Sequence, residues 1–354
     1  MNTKISPPAV GGSNLFIARR RLFTTLRRAH LFAAIIMVQT LVALAASQLP
    51  AWERVASLPV ANGGFFSGVV GGNLLVAGGT AWDGDTKLWL DQIWSYNPAD
   101  NTWKSAGKLP AAFAYPSSGY NRNALWFAGG SSGAETHRAL WKIGPKGARE
   151  RVATLDRGVV YAAGALIGST LYVVGGTDDQ ARLDRLTNAV VAIDVTTGAT
   201  TVLANYPEMT LTTATATAVG NQLFVFGGAR WDSAAKAVVN HSSAYSFSPD
   251  KKRWEPLPPL PFAVRGLTAV TLDTNHILIA GGYRNAEVGF VADAFIFDVK
   301  TRTYSPTLPL PYAAMVSLVQ NGEWLYCLGG EDRMRHRSDA VFRIRWQDLL
   351  SVRK

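Results

Sequence analysis

Glu331 and Arg337 stand six positions apart in the stretch Gly329-Gly330-Glu331-Asp332-Arg333-Met334-Arg335-His336-Arg337-Ser338-Asp339-Ala340-Val341-Phe342. A carboxylate held among guanidinium groups can take or give a proton. An arginine fork matches a carboxylate with two parallel hydrogen bonds. The pair therefore has the composition of a site that moves a proton on an anionic substrate. A structural salt bridge is the competing reading of the same two residues. Further arginines gather in the segments that follow Gly-Gly pairs: Arg333 and Arg335 in this same stretch, and Arg138, Arg182, Arg185, Arg230 and Arg284 after other pairs, joined by Arg157 and Arg265 from connecting segments. Such a rim suits an anionic ligand, although arginine is also ordinary on solvated loops.

Other chemistries find little support. The chain has one cysteine, Cys327, which excludes a disulfide framework and a cysteine-based zinc site. Cys327 falls inside an apolar run, where a buried, inert thiol is expected. The histidines after residue 47 (His137, His241, His276 and His336) show no metal-ligand spacing. No cofactor is called for.

The elements that must hold these residues are repeats. Six apolar runs end in Gly-Gly: LLVAGG at Gly79, LWFAGG at Gly130, LYVVGG at Gly176, LFVFGG at Gly228, ILIAGG at Gly282 and LYCLGG at Gly330. The intervals are 51, 46, 52, 54 and 48 residues, and a period near 50 marks a repeat architecture. Each unit runs through a segment of small residues, a turn, the Gly-Gly strand, a variable loop and a third strand. A last strand follows, carrying an aromatic (Trp103, Trp254, Tyr304), and the unit closes in Leu-Pro. Four short strands per unit, bounded by turn residues, predict an all-β chain. The units resemble kelch motifs, which implies blades of a β-propeller around a central channel.

Six units predict six blades. The sixth reaches its third strand near Asp339–Ile344 without a fourth, whereas Trp52–Pro59 has the pattern of a last strand with no unit before it. Pairing the two removes both free sheet edges. The expected organisation is thus a six-bladed propeller over 48–354, its last blade closed by the N-terminal strand. Glu331 would leave the second strand of that blade directly after its glycines. Arg337 would begin the return, so both would face the channel mouth.

Residues 1–47 read differently. They hold Lys4, Arg19, Arg20, Arg21, Arg27 and Arg28 and no acidic residue, and so carry six of the charges behind the formal net charge of +10. The uncharged run at 31–47 ends in small residues, with Ala43-Leu44-Ala45 suited to cleavage. This order describes a secretory signal peptide, with an uncleaved membrane anchor as the alternative. Periplasmic or secreted localisation is expected. The basic excess gives no ground for nucleic-acid binding, and no membrane association is expected once the signal is removed.

The sixth unit also carries a more specific resemblance. Gly330-Glu331 and Arg337-Ser338-Asp339-Ala340-Val341-Phe342 resemble the Gly-Glu-x5-Arg-Thr-Asp-Ala-Val-Phe-like stretch of the kelch-type N-acetylneuraminate epimerases, or sialate mutarotases, with Ser in place of Thr. In those proteins the stretch lies in a middle blade. Here it lies in the last, and WERVASLPVANGGFFSGVVGGNLLVAGG (52–79) is similar to the blade that follows it there. A circularly permuted branch is implied. So are exported six-bladed propellers, interconversion of the α and β anomers of N-acetylneuraminate, and functional roles for Glu331 and Arg337. Under that resemblance Glu331 shuttles the proton and Arg337 binds the carboxylate beside the anomeric carbon. Arg333, Arg335 and Arg265 are second contacts. The alternatives are a non-catalytic kelch module that binds a protein or acidic glycan, and an isomerase of another sugar. The Ser-x-Asp-x-Gly-x-Thr-Trp repeats of sialidases are absent.

Overall fold

A computed structural model describes residues 50–351, together with three isolated positions before residue 7. The basic cluster and the apolar run read as an export signal lie outside the described residues. Among the described residues, no helix is long and apolar enough to cross a membrane.

Six four-stranded antiparallel sheets form the blades of a propeller. Blade I comprises Phe66–Val70, Asn73–Ala77, Gln92–Asn97 and Thr102–Lys108. Blade II comprises Ser117–Asn121, Ala124–Ala128, Ala139–Ile143 and Arg149–Thr154. Blade III comprises Ala163–Ile167, Thr170–Val174, Val190–Asp194 and Thr200–Val202. Blade IV is built from Thr215–Val219, Gln222–Phe226, Ala244–Ser248 and Arg253–Pro256. Blade V is built from Thr268–Thr271, His276–Ala280, Ala294–Asp298 and Thr303–Pro306. Blade VI takes Met315–Asn321, Trp324–Arg333 and His336–Arg345 from the C-terminal part of the chain, and Glu53–Arg54 from the N-terminal part.

The second strands are buried on both faces because each is sandwiched between neighbouring blades. They therefore read as unbroken apolar runs rather than alternating ones. The innermost strands carry small residues because six of them crowd around the axis. A methyl group at Gly119 in blade II would overlap Leu166 of blade III, and one at Gly164 in blade III would overlap Ser118 of blade II. Adjacent innermost strands touch all the way round, from blade VI back to blade I. Ser67 and Ser317 join those two blades through their hydroxyls at 2.7 Å.

The seam closes as the sequence predicts. Glu53 pairs with Arg343 and Arg54 with Phe342 as the outermost strand of blade VI. Leu58 N–H donates to Asp339 O at 2.8 Å, and Gly330 N–H donates to Asn62 O at 2.8 Å. A repeated aromatic fastener holds outer strands to preceding blades. Trp103 Nε1 donates to Ala56 O, Trp254 Nε1 to Ala204 O, Tyr304 Oη to Pro258 O and Trp52 Nε1 to Pro309 O.

Three features depart from the sequence expectation. The segment 331–338 is a hairpin that continues the second and third strands of blade VI, so the third strand begins at His336 rather than Asp339. Segments within 80–91 and 229–242 are also hairpins: Thr80–Asp83 with Thr86–Trp89, and Ala229–Asp232 with Ala237–Asn240. A short helix, Trp346–Ser351, follows the last strand and buries Leu349 in the apolar cluster shared by blades V and VI.

Candidate functional site

The residue after each Gly-Gly pair sits at the same place on the mouth of the propeller. The six are Thr80, Ser131, Thr177, Ala229, Tyr283 and Glu331. In blades I to V each forms an isolated bridge to the segment leading into the innermost strand. In blade VI Glu331 pairs with Met315. Gly330 reaches that place with φ +102°, and a methyl group there would strike the Met315 carbonyl, so glycine is required by both conformation and space.

Glu331 lines a cavity of about 410 Å³ at this mouth, together with Phe65, Tyr115, Tyr161, Thr213, Met315 and Ser317. Its Oε2 is 3.0 Å from Arg337 Nη1. The two side chains differ in exposure: 31% for Glu331 and 4% for Arg337. The carboxylate thus faces the cavity, and the guanidinium lies behind it. Arg337 Nη1 also donates to His336 O at 3.0 Å, and Nε donates to Thr80 Oγ1 at 3.3 Å. Gly63 leaves the room this side chain occupies, because a methyl group there would overlap Arg337 Cδ. With these bonds made, Arg337 is placed to orient Glu331 rather than to grip a second carboxylate.

The other sequence-predicted residues are not brought to the cavity. Arg335 turns outward to pair with Asp85 on the blade I hairpin, near the face of Trp82. Arg333 is exposed beside it on the blade VI hairpin. Arg265 precedes the mouth residue Gly266, stacks over the Tyr283 ring at 4.6 Å and donates to Asn240 Oδ1 at 3.1 Å. The wider arginine rim expected from the sequence is largely taken up by the protein itself. Arg157 and Arg185 pair with Asp178, Arg182 pairs with Asp184, Arg138 donates to Leu155 O and Arg284 stacks on Phe262. Nearby aspartates engage Arg157, Arg182, Arg185 and Arg335, whereas a backbone carbonyl, an amide side chain or an aromatic ring engages Arg138, Arg265 and Arg284.

Sequence reasoning missed the cavity's aromatic side. Tyr115 and Tyr161 occupy left-handed backbone, with φ +58° and +62°, at the position held by Gly64, Thr213 and Gly266 in other blades. A collar of backbone bonds runs through them. Tyr115 N–H donates to Gly64 O, Tyr161 to Tyr115 O, Thr213 to Tyr161 O and Gly266 to Thr213 O. The two rings meet at 5.1 Å between centroids. Lys87 holds its ammonium 5.0 Å from the Tyr115 ring centre and 4.5 Å from that of Trp89. Alignment of the repeats would have shown two tyrosines where blades I and V carry glycine. Among the described residues, no cluster of three or more metal-ligating side chains occurs.

Comparison with known proteins addresses ancestry. The KLHDC2/KLHL20/DRC7 Kelch-repeats domain matches residues 161–349, and the Kelch motif matches residues 62–110. The chain belongs to the kelch-repeat family. Kelch-like protein 35 of Mus musculus is 26% identical over 255 residues, covering 70% of this chain and 40% of its own length. The N-acetylneuraminate epimerase of Brucella melitensis biotype 1 is 33% identical over 87 residues, covering 18% of this chain and 22% of its own. That of Salmonella enteritidis PT4 is 24% identical over 163 residues, covering 37% and 42%. The chain therefore spans well under half the length of these relatives. Within this kelch propeller, the relatives are compatible with a sugar epimerase and with a non-catalytic module alike.

Proposed function

We propose that the mouth cavity binds an acidic sugar and interconverts the α and β anomers of N-acetylneuraminate, with Glu331 as the group that moves the proton. The supporting observation is the placement of Glu331: a partly exposed carboxylate in a cavity of sugar-accommodating volume, fixed from behind by the buried Arg337. Mutarotation opens the ring at the anomeric carbon and recloses it on the other face. It needs a proton taken from the anomeric hydroxyl and one given to the ring oxygen, and it consumes nothing. A carboxylate held by a single ion pair serves that exchange. The opening proceeds unaided in water, so a barrier lowered by about 3–4 kcal/mol gives 10²–10³-fold acceleration.

Arg337 acts in this scheme as the residue that positions Glu331. The substrate carboxylate falls to two cations that stand next to lining residues without lining the cavity themselves: Arg265, adjacent to Gly266, and Lys87, over the Tyr115 ring. Arg333 and Arg335 lie on the hairpin beyond and play no direct part. Export through the N-terminal segment, to the periplasm or medium, belongs to the same proposal.

The experiment is direct binding and turnover with one sugar. Acceleration of anomer exchange by the wild-type protein, lost in Glu331→Gln, supports the isomerase. The similarity to Kelch-like protein 35 favours a second reading, a binding module for a protein or acidic glycan. Saturable binding of N-acetylneuraminate without any acceleration would select that one.

A further inference from the structure

Tyr161 departs from what its backbone favours. Left-handed φ is costly for a residue with a side chain and suits glycine, which blades I and V use at this position. Strain kept in this way, of order 1–3 kcal/mol, collects at functional sites. Here it turns a large phenol onto the lining of the mouth cavity. Blade III stands three blades from blade VI in a ring of six, so Tyr161 and Glu331 approach the cavity from opposite sides of the axis. Gly64 and Gly266 flank blade VI without side chains, and the room they leave is taken by the Tyr115 ring and the Met315 side chain, which line the cavity between Tyr161 and Glu331.

The two tyrosines differ in what their hydroxyls touch. Tyr115 Oη lies 3.3 Å from Thr80 Oγ1, which itself donates to Gly63 O at 3.0 Å and accepts from Arg337 Nε. Thr80 has spent its proton, so Tyr115 donates to it. That phenol is committed to the network behind Glu331. Among the described residues, Tyr161 Oη has no hydrogen-bond partner, and Tyr161 is one of the residues that line the cavity. Its donor is available to whatever fills the cavity. Burial and the neighbouring Tyr115 push the Tyr161 phenol up, which keeps it protonated throughout the neutral range.

We infer that Tyr161 is the second catalytic residue, the acid that protonates the ring oxygen while Glu331 takes the proton of the anomeric hydroxyl. This rests on the isomerase reading above. In ring opening the bond between the anomeric carbon and the ring oxygen breaks, and its electron pair stays on that oxygen. The oxygen receives the Tyr161 proton. The anomeric hydroxyl gives its proton to Glu331, and its oxygen becomes the open-chain carbonyl. Reclosure on the other face reverses both transfers, returning the proton to Tyr161 and delivering one from Glu331 to the new anomeric hydroxyl. Tyr115 acts through its neighbours: it braces the Tyr161 ring and completes the Thr80–Arg337 network.

The test uses exchange between the α and β anomers of N-acetylneuraminate, followed by NMR at several pH values, with Tyr161→Phe, Tyr115→Phe and Glu331→Gln. Thermal unfolding of each variant verifies its fold. Positioned acid catalysis contributes about 10²-fold or more. Tyr161→Phe is therefore expected to lower kcat by about that factor with KM nearly unchanged. Tyr115→Phe, which loosens the network behind Glu331 without removing the proposed acid, is expected to lower the rate by much less than Tyr161→Phe. Wild-type acceleration retained by a folded Tyr161→Phe overturns this inference and leaves the isomerase reading standing. No acceleration by the wild type overturns both.

Discussion

Breaking the Glu331–Arg337 pair should cost stability in a way that neither residue explains alone. Arg337 is almost fully enclosed, with Glu331, Thr80 and His336 O as its partners. Replacing it by Met removes one ion pair and two hydrogen bonds from charged nitrogens, while a methionine stem fills much of the space. Removal of one partner of a fully buried pair costs about 3–5 kcal/mol. Glu331 keeps a third of its surface in contact with water, so hydration offsets part of that loss, and about 2–3 kcal/mol is the expected cost. Glu331→Gln keeps an acceptor for Arg337 and should cost about 1 kcal/mol. Once either change is made the second matters less, and the coupling should be about 1–2 kcal/mol. At roughly 2 °C per kcal/mol for a domain of this size, the double variant melts about 2–4 °C above the additive sum. Denaturant titration of the four proteins, at low and high salt, measures the cycle. Additivity within about 0.5 kcal/mol would refute the claim that Arg337 holds Glu331. So would a coupling that vanishes in salt, since screening of that kind belongs to exposed pairs.

Acid should weaken the fold through His241. Its ring is buried in blade IV with both nitrogens lacking partners, and burial pushes its pKa below the usual 6.5. The unfolded chain then binds the proton that the folded one refuses. Stability is fully present above about pH 6.5 and falls as pH drops below it. Melting at pH 7 and pH 5 should show a loss that His241→Phe reduces. Removing residues up to 59 takes away Glu53–Arg54 and the Leu58 contact, leaving blade VI with a bare edge. Such a chain should aggregate or lose cooperative unfolding, as read by light scattering and circular dichroism. Burial pushes the Cys327 thiol far up, so it should resist thiol reagents in the native protein and react on unfolding. Trp103→Phe removes the donor to Ala56 O and should cost about 1 kcal/mol by denaturant titration.

The architecture is readable from the chain because its determinants are local and repeated. Each Gly-Gly pair marks a strand end that only glycine can shape, and the orphan strand Trp52–Pro59 matches the blade that lacks one. The hairpins at 80–89, 229–240 and 331–338 are not readable in the same way. They vary in length and lack apolar alternation, so they look like loops until their backbones pair. The site divides similarly. Glu331 follows a glycine signal and falls where that signal puts it. The partners of the arginines are aspartates, carbonyls, an amide or aromatic rings brought near by the fold, which spacing alone does not reveal. Tyr115 and Tyr161 escape notice for the opposite reason: each sits in a conformation that local preference assigns to glycine.

The most direct measurement is the rate of anomer exchange after N-acetylneuraminate is freshly dissolved, followed by NMR with wild-type protein and with Glu331→Gln. Exchange about 10²-fold or more above the spontaneous rate, returning to that rate in the variant, is the predicted result. Equal rates with and without the wild-type protein would contradict the assignment of Glu331 as a catalytic residue.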